Sequence, residues 1–209
     1  MSNRLISSLK SYLLEKFENL QDLLEISSAG EILRRYFVMN AFDGALTMLG
    51  FVVGAYISGS KNPNLILSAG LSASYAMAIS GFVGALITEK AERERKVKEL
   101  ERAMFTKLDN SLIDKASDTA VVLAALTDAL APMLAALTSA SPYIFSRMGL
   151  ISFDVATFIS VSITLALVFC LGLFLGRVSK GNMILYGFYM LLAGLAVSLL
   201  MFLSTGPDI

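Results

Sequence analysis

The segment Val155–Gly176 reads VATFISVSITLALVFCLGLFLG and contains no charged side chain. A helix needs about 20 apolar residues to cross the hydrocarbon core of a bilayer, and this segment has 22. Four other apolar segments have 20 to 23 residues each: Val38–Ile57, Leu65–Ile87, Thr119–Ser141 and Asn182–Ser204. Because lipid offers no hydrogen bonds to an open backbone, such segments must be helical. The sequence therefore predicts an all-α, polytopic membrane protein with five transmembrane helices.

The composition agrees with a membrane protein and argues against several other classes. Hydrophobic residues make up 56% of the 209 residues and charged residues only 16%, whereas soluble domains carry about 25% charged residues. The net charge is zero, so no global basic field attracts nucleic acid. The chain lacks histidine, the commonest acid–base side chain, and a glycine-rich phosphate loop. We therefore expect neither an enzyme nor a resident cofactor, and the lipid bilayer is the first expected partner.

The basic residues predict how the chain is oriented. Fifteen of the seventeen Lys and Arg residues lie in the N-terminal stretch, between spans two and three, or between spans four and five. Only Lys61 and Arg147 lie on the other side. Cytoplasmic loops carry an excess of basic residues, so we expect the N-terminus in the cytoplasm and the C-terminus outside. The expected location is the cell membrane in a prokaryote and the vacuolar or another internal membrane in a eukaryote.

The chain divides into four predicted regions. Residues 1–30 read as an amphipathic cytoplasmic helix that lies either on the membrane surface or against the protein or its dimer. Residues 31–88 hold transmembrane helices 1 and 2. Residues 89–117 form a short, charged cytoplasmic extension that continues the second span as a helix. Residues 118–209 hold transmembrane helices 3 to 5.

Three local patterns refine this division. A capping box at Ser28–Glu31 marks the expected start of a helix. Within the charged extension, Glu89 and Arg93 form a favourable pair one helical turn apart. Asp109-Asn110 is the expected turn before the chain returns to the membrane.

Asp43 is the sharpest candidate for a functional side chain. It lies five residues into the first span, about 7 Å along the helix, where an ionisable group is costly unless it faces protein, water or an ion. Thr47, Gly50 and Gly54 fall on the same helical face, so we expect Asp43 to point into the protein. The alternative is a structural aspartate near the interface, held by backbone donors.

Four further residues are candidate metal ligands. Met77 lies on a stripe of small and polar residues, and its soft thioether beside a carboxylate would suit a transition metal; the alternative is an apolar filler. Asp128 lies near the middle of the third span, and Pro132, one turn on, removes a backbone donor. This pattern indicates a proton or cation site, or else a structural hydrogen bond to another span. Glu89 and Glu92 are cytoplasmic candidates, although their basic neighbours favour a solvated, salt-bridged helix.

The first span carries the run DGALTMLGFVVG at residues 43–54. This run resembles the motif that opens the first span in the vacuolar iron transporter family, and Ala76-Met77-Ala78 resembles the methionine of that family's second span. The resemblance extends over most of the chain from about Val38 onward. It implies a homodimer that exchanges ferrous iron or manganese for protons, with Asp43 and Met77 lining the path.

The chain departs from that family in two places. Members usually have Gly-Glu-Tyr just after the methionine, whereas this chain has Ser80-Gly81-Phe82, so Asp128 is a candidate for the missing carboxylate. Many members also carry a longer cytoplasmic domain between spans two and three. Glu89 and Glu92 are candidate remnants of its metal-capturing surface.

Two hypotheses for the function follow. The first is a secondary transporter of a divalent transition metal, ferrous iron or manganese, in exchange for protons. Its predicted metal ligands are Asp43, Met77, Asp128, Glu89 and Glu92. The second is a membrane scaffold or partner subunit of the same fold that transports nothing. The resemblance, together with the glycine faces Gly50–Gly54 and Gly172–Gly176, also predicts a homodimer.

Overall fold

The computed structural model describes residues 29–108 and 111–205, in which the regular structure is helical and contains no strand. The described helices are α1 (Ala29–Ile57), α2 (Pro63–Met104), α3 (Leu112–Ala140), α4 (Pro142–Arg147), α5 (Phe153–Val178) and α6 (Met183–Thr205). Among them α1, α2, α3, α5 and α6 are long and apolar enough to cross a membrane. The predicted all-α protein with five spans is therefore confirmed, whereas the orientation of its termini stays a prediction.

Several predictions fall on residues outside the described ranges. The amphipathic helix expected within residues 1–30 lies almost wholly outside them, as does the capping residue Ser28. The turn expected at Asp109-Asn110 also lies outside them. Within the described part, α1 begins at Ala29, one residue after the predicted cap.

The second span continues without a break into the charged extension. Helix α2 has 42 residues and is therefore about 63 Å long at 1.5 Å per residue, roughly twice the thickness of the hydrocarbon core. Its polar half is supported by pairs one turn apart, because Glu89 lies 3.6 Å from Arg93 and Glu99 lies 3.6 Å from Arg95. The predicted helical continuation and the predicted Glu89–Arg93 pair are both confirmed.

The contacts divide the chain into two compact units. In the described residues, one unit comprises 36–81 and 128–205, and the other comprises 29–35, 82–108 and 111–127. The first unit contains two apolar clusters. One is built around Met48, Val52, Ile66, Ala136, Ala140, Tyr143, Phe153 and Ala156. The other joins Ala41 and Ala45 of α1 to Ala131 and Ala135 of α3 and to Val168 and Leu171 of α5.

Glycines let the spans of this unit approach closely. A Cβ atom at Gly172 of α5 would lie 2.6 Å from the Cα of Gly187 in α6, and one at Gly176 would lie 2.5 Å from the Cα of Met183. On α1 the packing is looser, since a Cβ atom at Gly50 would lie 3.4 Å from the Val197 side chain of α6, an ordinary van der Waals contact. The glycine faces that the sequence offered to a dimer are thus covered by α5–α6 and α1–α6 packing within the chain. The homodimer stays a prediction, because GxxxG spacing marks close packing without identifying the partner.

Three hydroxyl side chains of α5, those of Thr157, Ser160 and Thr164, are buried and hydrogen-bonded. The Tyr143 hydroxyl in α4 lies 2.8 Å from the Thr157 hydroxyl, and Ser160 donates to the carbonyl oxygen of Ser139 in α3 at 2.6 Å. At the start of α5, the exposed Asp154 lies 3.9 Å from Lys61. Since buried polar groups are costly unless they are bonded, these contacts account for the hydroxyls as structural links between helices.

Candidate functional site

Asp128 of α3 lies at a point where three helices meet. The side-chain amide of Asn40 in α1 donates one hydrogen bond to the carboxylate oxygen Oδ1 of Asp128. The same amide donates a second hydrogen bond, 2.9 Å long, to the backbone carbonyl of Tyr36. On the other side is Gly81 of α2, where an added Cβ atom would lie 3.1 Å from Oδ2 of Asp128. The half-buried carboxylate is therefore held by one span and faces the backbone of another.

The close approach of α1 to α3 fixes this geometry. A Cβ atom at Gly44 would lie 2.2 Å from the carbonyl oxygen of Pro132, so only glycine fits there. Asn40 and Asp128 lie one turn before Gly44 and Pro132, respectively, and the two helices therefore run in the same direction at this contact. That direction is the one expected for the first and third spans of a five-span protein.

Pro132 also changes the backbone at Asp128. In an α-helix the N–H of residue 132 would bond to the carbonyl of residue 128, but proline has no N–H. The freed carbonyl oxygen of Asp128 lies 2.9 Å from the position of a Cβ atom at Gly81. Two oxygen atoms of one residue, the backbone O and Oδ2, thus pack tightly against α2 at Gly81, where a side chain would not fit.

Asp43 lies three residues after Asn40, on the exposed side of α1. Its backbone lies between Asn40 and Gly44, the residues of α1 that contact Asp128 and Pro132 of α3. The expectation that Asp43 points into the protein was wrong for the single chain, because both Asp43 and Thr47 are exposed. Helix α6 packs against this face of α1 at Gly50 but does not reach Asp43. Helical periodicity shows which residues share a face, but it does not show how far a neighbouring helix covers that face.

Met77 is half-buried and packs against the apolar cluster that contains Met48 and Ala136. It lies one turn from Gly81 on α2, which places its backbone near the level of Pro132. These apolar surroundings agree with the alternative interpretation of Met77 as a hydrophobic packing residue.

Glu89 and Glu92 belong to the other compact unit. The side chain of Glu89 is 11% exposed and lies 3.6 Å from Arg93, which is 10% exposed, whereas Glu92 is exposed. A cavity of 160 Å³ in the same unit is lined by both acids and bases. These are Lys90, Arg93, Glu94, Lys98, Glu101, Asp114 and Asp118. The mixture of charges agrees with the salt-bridged helix that the sequence favoured.

Sequence reasoning missed Asn40. An amide near the start of a span is unremarkable alone, and its partner is 88 residues away. The sequence carried no signal for this contact, because the pairing of Gly44 with Pro132 that fixes it appears only in the structure. In the residues that the structure describes, no group of three or more Asp, Glu or Cys side chains could hold a metal ion. The site therefore rests on two carboxylates, an amide and a backbone carbonyl.

The chain is similar to a protein from an archaeon. No protein-family model matches the chain. The uncharacterized protein MJ0645 of Methanocaldococcus jannaschii is 34% identical to it over 179 residues, which cover 83% of this chain and 89% of the archaeal protein. The similarity thus extends over nearly the whole of both proteins.

Proposed function

Since the chain belongs to the same family as the archaeal protein MJ0645, whose name assigns no activity, we propose a function from the site itself. The protein is a secondary transporter that moves a divalent metal ion, ferrous iron or manganese, across a membrane in exchange for protons. The metal binds at the carboxylates of Asp43 and Asp128.

The observation that carries this proposal is the position of Asp128 within a span. A carboxylate inside a membrane is costly, and such residues commonly mark an ion or proton path. Here the carboxylate accepts a hydrogen bond from the Asn40 amide, and a second carboxylate, that of Asp43, lies three residues after Asn40 on the same helix. Two negative charges on neighbouring spans favour the binding of positive charge between or beside them.

The chemistry of exchange follows from that charge. A divalent cation and two protons each supply two positive charges, so either neutralises the pair of carboxylates. Because a carboxylate must lose its proton to bind a metal, metal binding releases protons. When the two carboxylates alternate between a metal-bound and a protonated state, the metal ion and the protons cross the membrane in opposite directions.

The resemblance to vacuolar iron transporters supports the same proposal. It rests on DGALTMLGFVVG at residues 43–54, which includes Asp43. Gly81 stands where that family carries a glutamate, and Oδ2 of Asp128 lies 3.1 Å from the position that a Cβ atom would take there. Asp128 thereby supplies, from the third span, a carboxylate at the position where the second span lacks one.

A homodimer is part of this proposal. Met39, Asp43, Thr47 and Phe51 form an exposed stripe along α1, at steps of four residues. An aspartate in a span that faced lipid would be unfavourable, whereas a second copy of the chain or a water-filled path would accommodate it. The stripe therefore supports a dimer whose α1 helices face each other.

A scaffold or partner subunit that transports nothing is the second candidate. It is favoured by one observation, the absence of a group of three metal-binding acidic or cysteine side chains in the described residues. Such a protein would keep the close glycine packing of its helices but would not move metal when reconstituted alone.

Metal uptake by proteoliposomes tests the proposal. With an imposed pH gradient, the wild-type protein should take up Mn²⁺ or Fe²⁺, detected by quenching of an entrapped chelating dye. Asp43→Asn and Asp128→Asn should reduce uptake by about tenfold or more, because asparagine carries neither charge nor a transferable proton.

Asp154→Asn is the matched control, since Asp154 is an exposed aspartate paired with Lys61 at 3.9 Å. It should transport as the wild type does. Absence of uptake by the folded wild-type protein would favour the scaffold, and normal uptake by Asp43→Asn would refute the role given to that residue.

A further inference from the structure

We propose that residues 142–150, which join the spans α3 and α5, form a lipid anchor that lies in the headgroup region of the bilayer. The segment comprises α4 (Pro142–Arg147) and the turn that follows it. Its large apolar side chains enter the outer part of the acyl layer, and Arg147, its one charged side chain, contacts phospholipid phosphates. The inference goes beyond the proposed transport, because it concerns a surface that the protein presents to lipid whatever it moves.

One side of α4 is fixed in the protein and the other side is open. Tyr143 is fully buried, and its hydroxyl lies 2.8 Å from that of Thr157 in α5. Successive residues of a helix are about 100° apart, so Ile144, Phe145 and Met148 fall on the side away from Tyr143. Between 50% and 67% of each of these three side chains is exposed. The buried tyrosine therefore determines that the apolar side chains of α4 point outward.

The open side of α4 continues the exposed apolar surface of the spans on either side of it. Leu130 and Leu134 of α3, one turn apart, and Val155 and Phe158 of α5 are exposed, on helices long and apolar enough to cross a membrane. Exposed apolar side chains on such spans face lipid. Helix α4 begins two residues after the end of α3, so it lies where the span leaves the hydrocarbon and its open side meets the same lipid.

The backbone of the segment suits a poorly hydrated position. The N–H groups of Ile144, Met148, Gly149 and Leu150 donate to carbonyl oxygens within residues 141–146, at 3.0–3.1 Å. Gly149 has a φ of 75°, a conformation that glycine adopts without strain. An unsatisfied N–H group in lipid is costly. Because these groups are paired within the segment, it can sink to the boundary of the acyl layer without that cost.

Arg147 supplies the polar contact with the headgroups. It is exposed, and residues 142–150 contain no acidic side chain. A long basic side chain lays its stem along apolar surface and keeps its charged end at the membrane interface. A guanidinium group binds a phosphate through two parallel hydrogen bonds. The chemistry of this surface therefore matches a phospholipid, with acyl chains beside the apolar side chains and a phosphate beside the guanidinium.

Fluorescence quenching tests the anchor, because the chain contains no tryptophan and a single introduced indole reports on its own surroundings. The full-length Phe145→Trp variant is reconstituted in vesicles of phosphatidylcholine and phosphatidylglycerol. Their acyl chains are brominated either near the glycerol or near the methyl end. We expect fluorescence to be lost chiefly to the bromines near the glycerol, with little quenching by acrylamide in the water. Met148→Trp, on the same side of α4, is the second reporter if Phe145→Trp does not fold.

Two natural phenylalanines provide matched controls. Phe158 is 76% exposed and lies about 8 Å past the start of α5, so Phe158→Trp should be quenched by deeper bromines than Phe145→Trp. Phe105, at the end of the charged extension, is 96% exposed. Phe105→Trp should be quenched by acrylamide and not by brominated lipid.

Two results would overturn the anchor. If acrylamide quenches Phe145→Trp as strongly as Phe105→Trp, the segment lies in water. If neither quencher reaches the indole in Phe145→Trp and Met148→Trp, another protein surface covers α4. The phosphate contact has its own test, since adding Arg147→Glu to Phe145→Trp should reduce the loss to brominated lipid through repulsion between carboxylate and phosphate. An unchanged loss would remove Arg147 from the proposal.

Discussion

Replacing Gly44 by alanine places a methyl group where α1 touches α3. The new Cβ atom would lie 2.2 Å from the carbonyl oxygen of Pro132, which is 1.2 Å inside the 3.4 Å at which ordinary contact begins. Since backbone lies on the other side of the contact, the two helices must separate or slide by about 1 Å. Overpacking of this kind usually lowers the free energy of unfolding by about 1–3 kcal/mol.

The displacement has a second effect one turn away. Asn40 and Asp128 lie on the same two helices, and their hydrogen bond does not survive a shift of that size without rearrangement. We therefore expect Gly44→Ala to weaken Mn²⁺ binding by about tenfold as well. The measurements are equilibrium unfolding in mixed detergent and Mn²⁺ binding on the same preparation.

Gly84→Ala is the matched control. Gly84 lies in α2, and an added Cβ atom there would meet no atom within 4 Å. Alanine is the better helix former by about 1 kcal/mol, so this variant should be as stable as the wild type or slightly more stable, with unchanged Mn²⁺ binding. If Gly44→Ala is as stable as Gly84→Ala and binds Mn²⁺ equally well, the close approach of α1 to α3 does not hold the site together.

Three further predictions concern the carboxylate, the helix packing and the orientation. Asp128→Ala should lose Mn²⁺ uptake, because it removes the carboxylate of the third span; uptake at the wild-type level would argue against that role. Gly172→Ala should lower the free energy of unfolding by about 1–3 kcal/mol, since its Cβ atom would lie 2.6 Å from Gly187, and the Mn²⁺ affinity of the folded fraction should be unchanged. A tag fused after Ile209 should be cleaved by external protease in intact cells, and its protection would reverse the predicted orientation.

The five spans could be predicted from the sequence because their signal is local. An apolar run of about 20 residues must be helical in lipid whatever surrounds it, and the described helices α1, α2, α3, α5 and α6 correspond to the predicted segments. The Glu89–Arg93 pair was predictable for the same reason, since its partners are one turn apart on a single helix.

The candidate site was only partly predictable, because it depends on how spans align with one another. Asp128 was identified from its charge and depth, but its contact with Asn40 depends on the offset between α1 and α3. Asp43 was expected to face inward because glycines share its face, yet α6 covers that face only farther along α1, at Gly50. Helical periodicity shows which face of a helix carries a side chain, but it does not show whether another helix, water or lipid contacts that face.

The central claim is that the carboxylates of Asp43 and Asp128 exchange one divalent cation for protons. The most direct test follows Mn²⁺ uptake and internal pH in the same proteoliposomes. The account predicts about two protons moved out for each Mn²⁺ ion moved in, with both fluxes lost together in Asp128→Asn. Uptake of Mn²⁺ by the wild type without countermovement of protons, or an unchanged proton flux in Asp128→Asn, would contradict it.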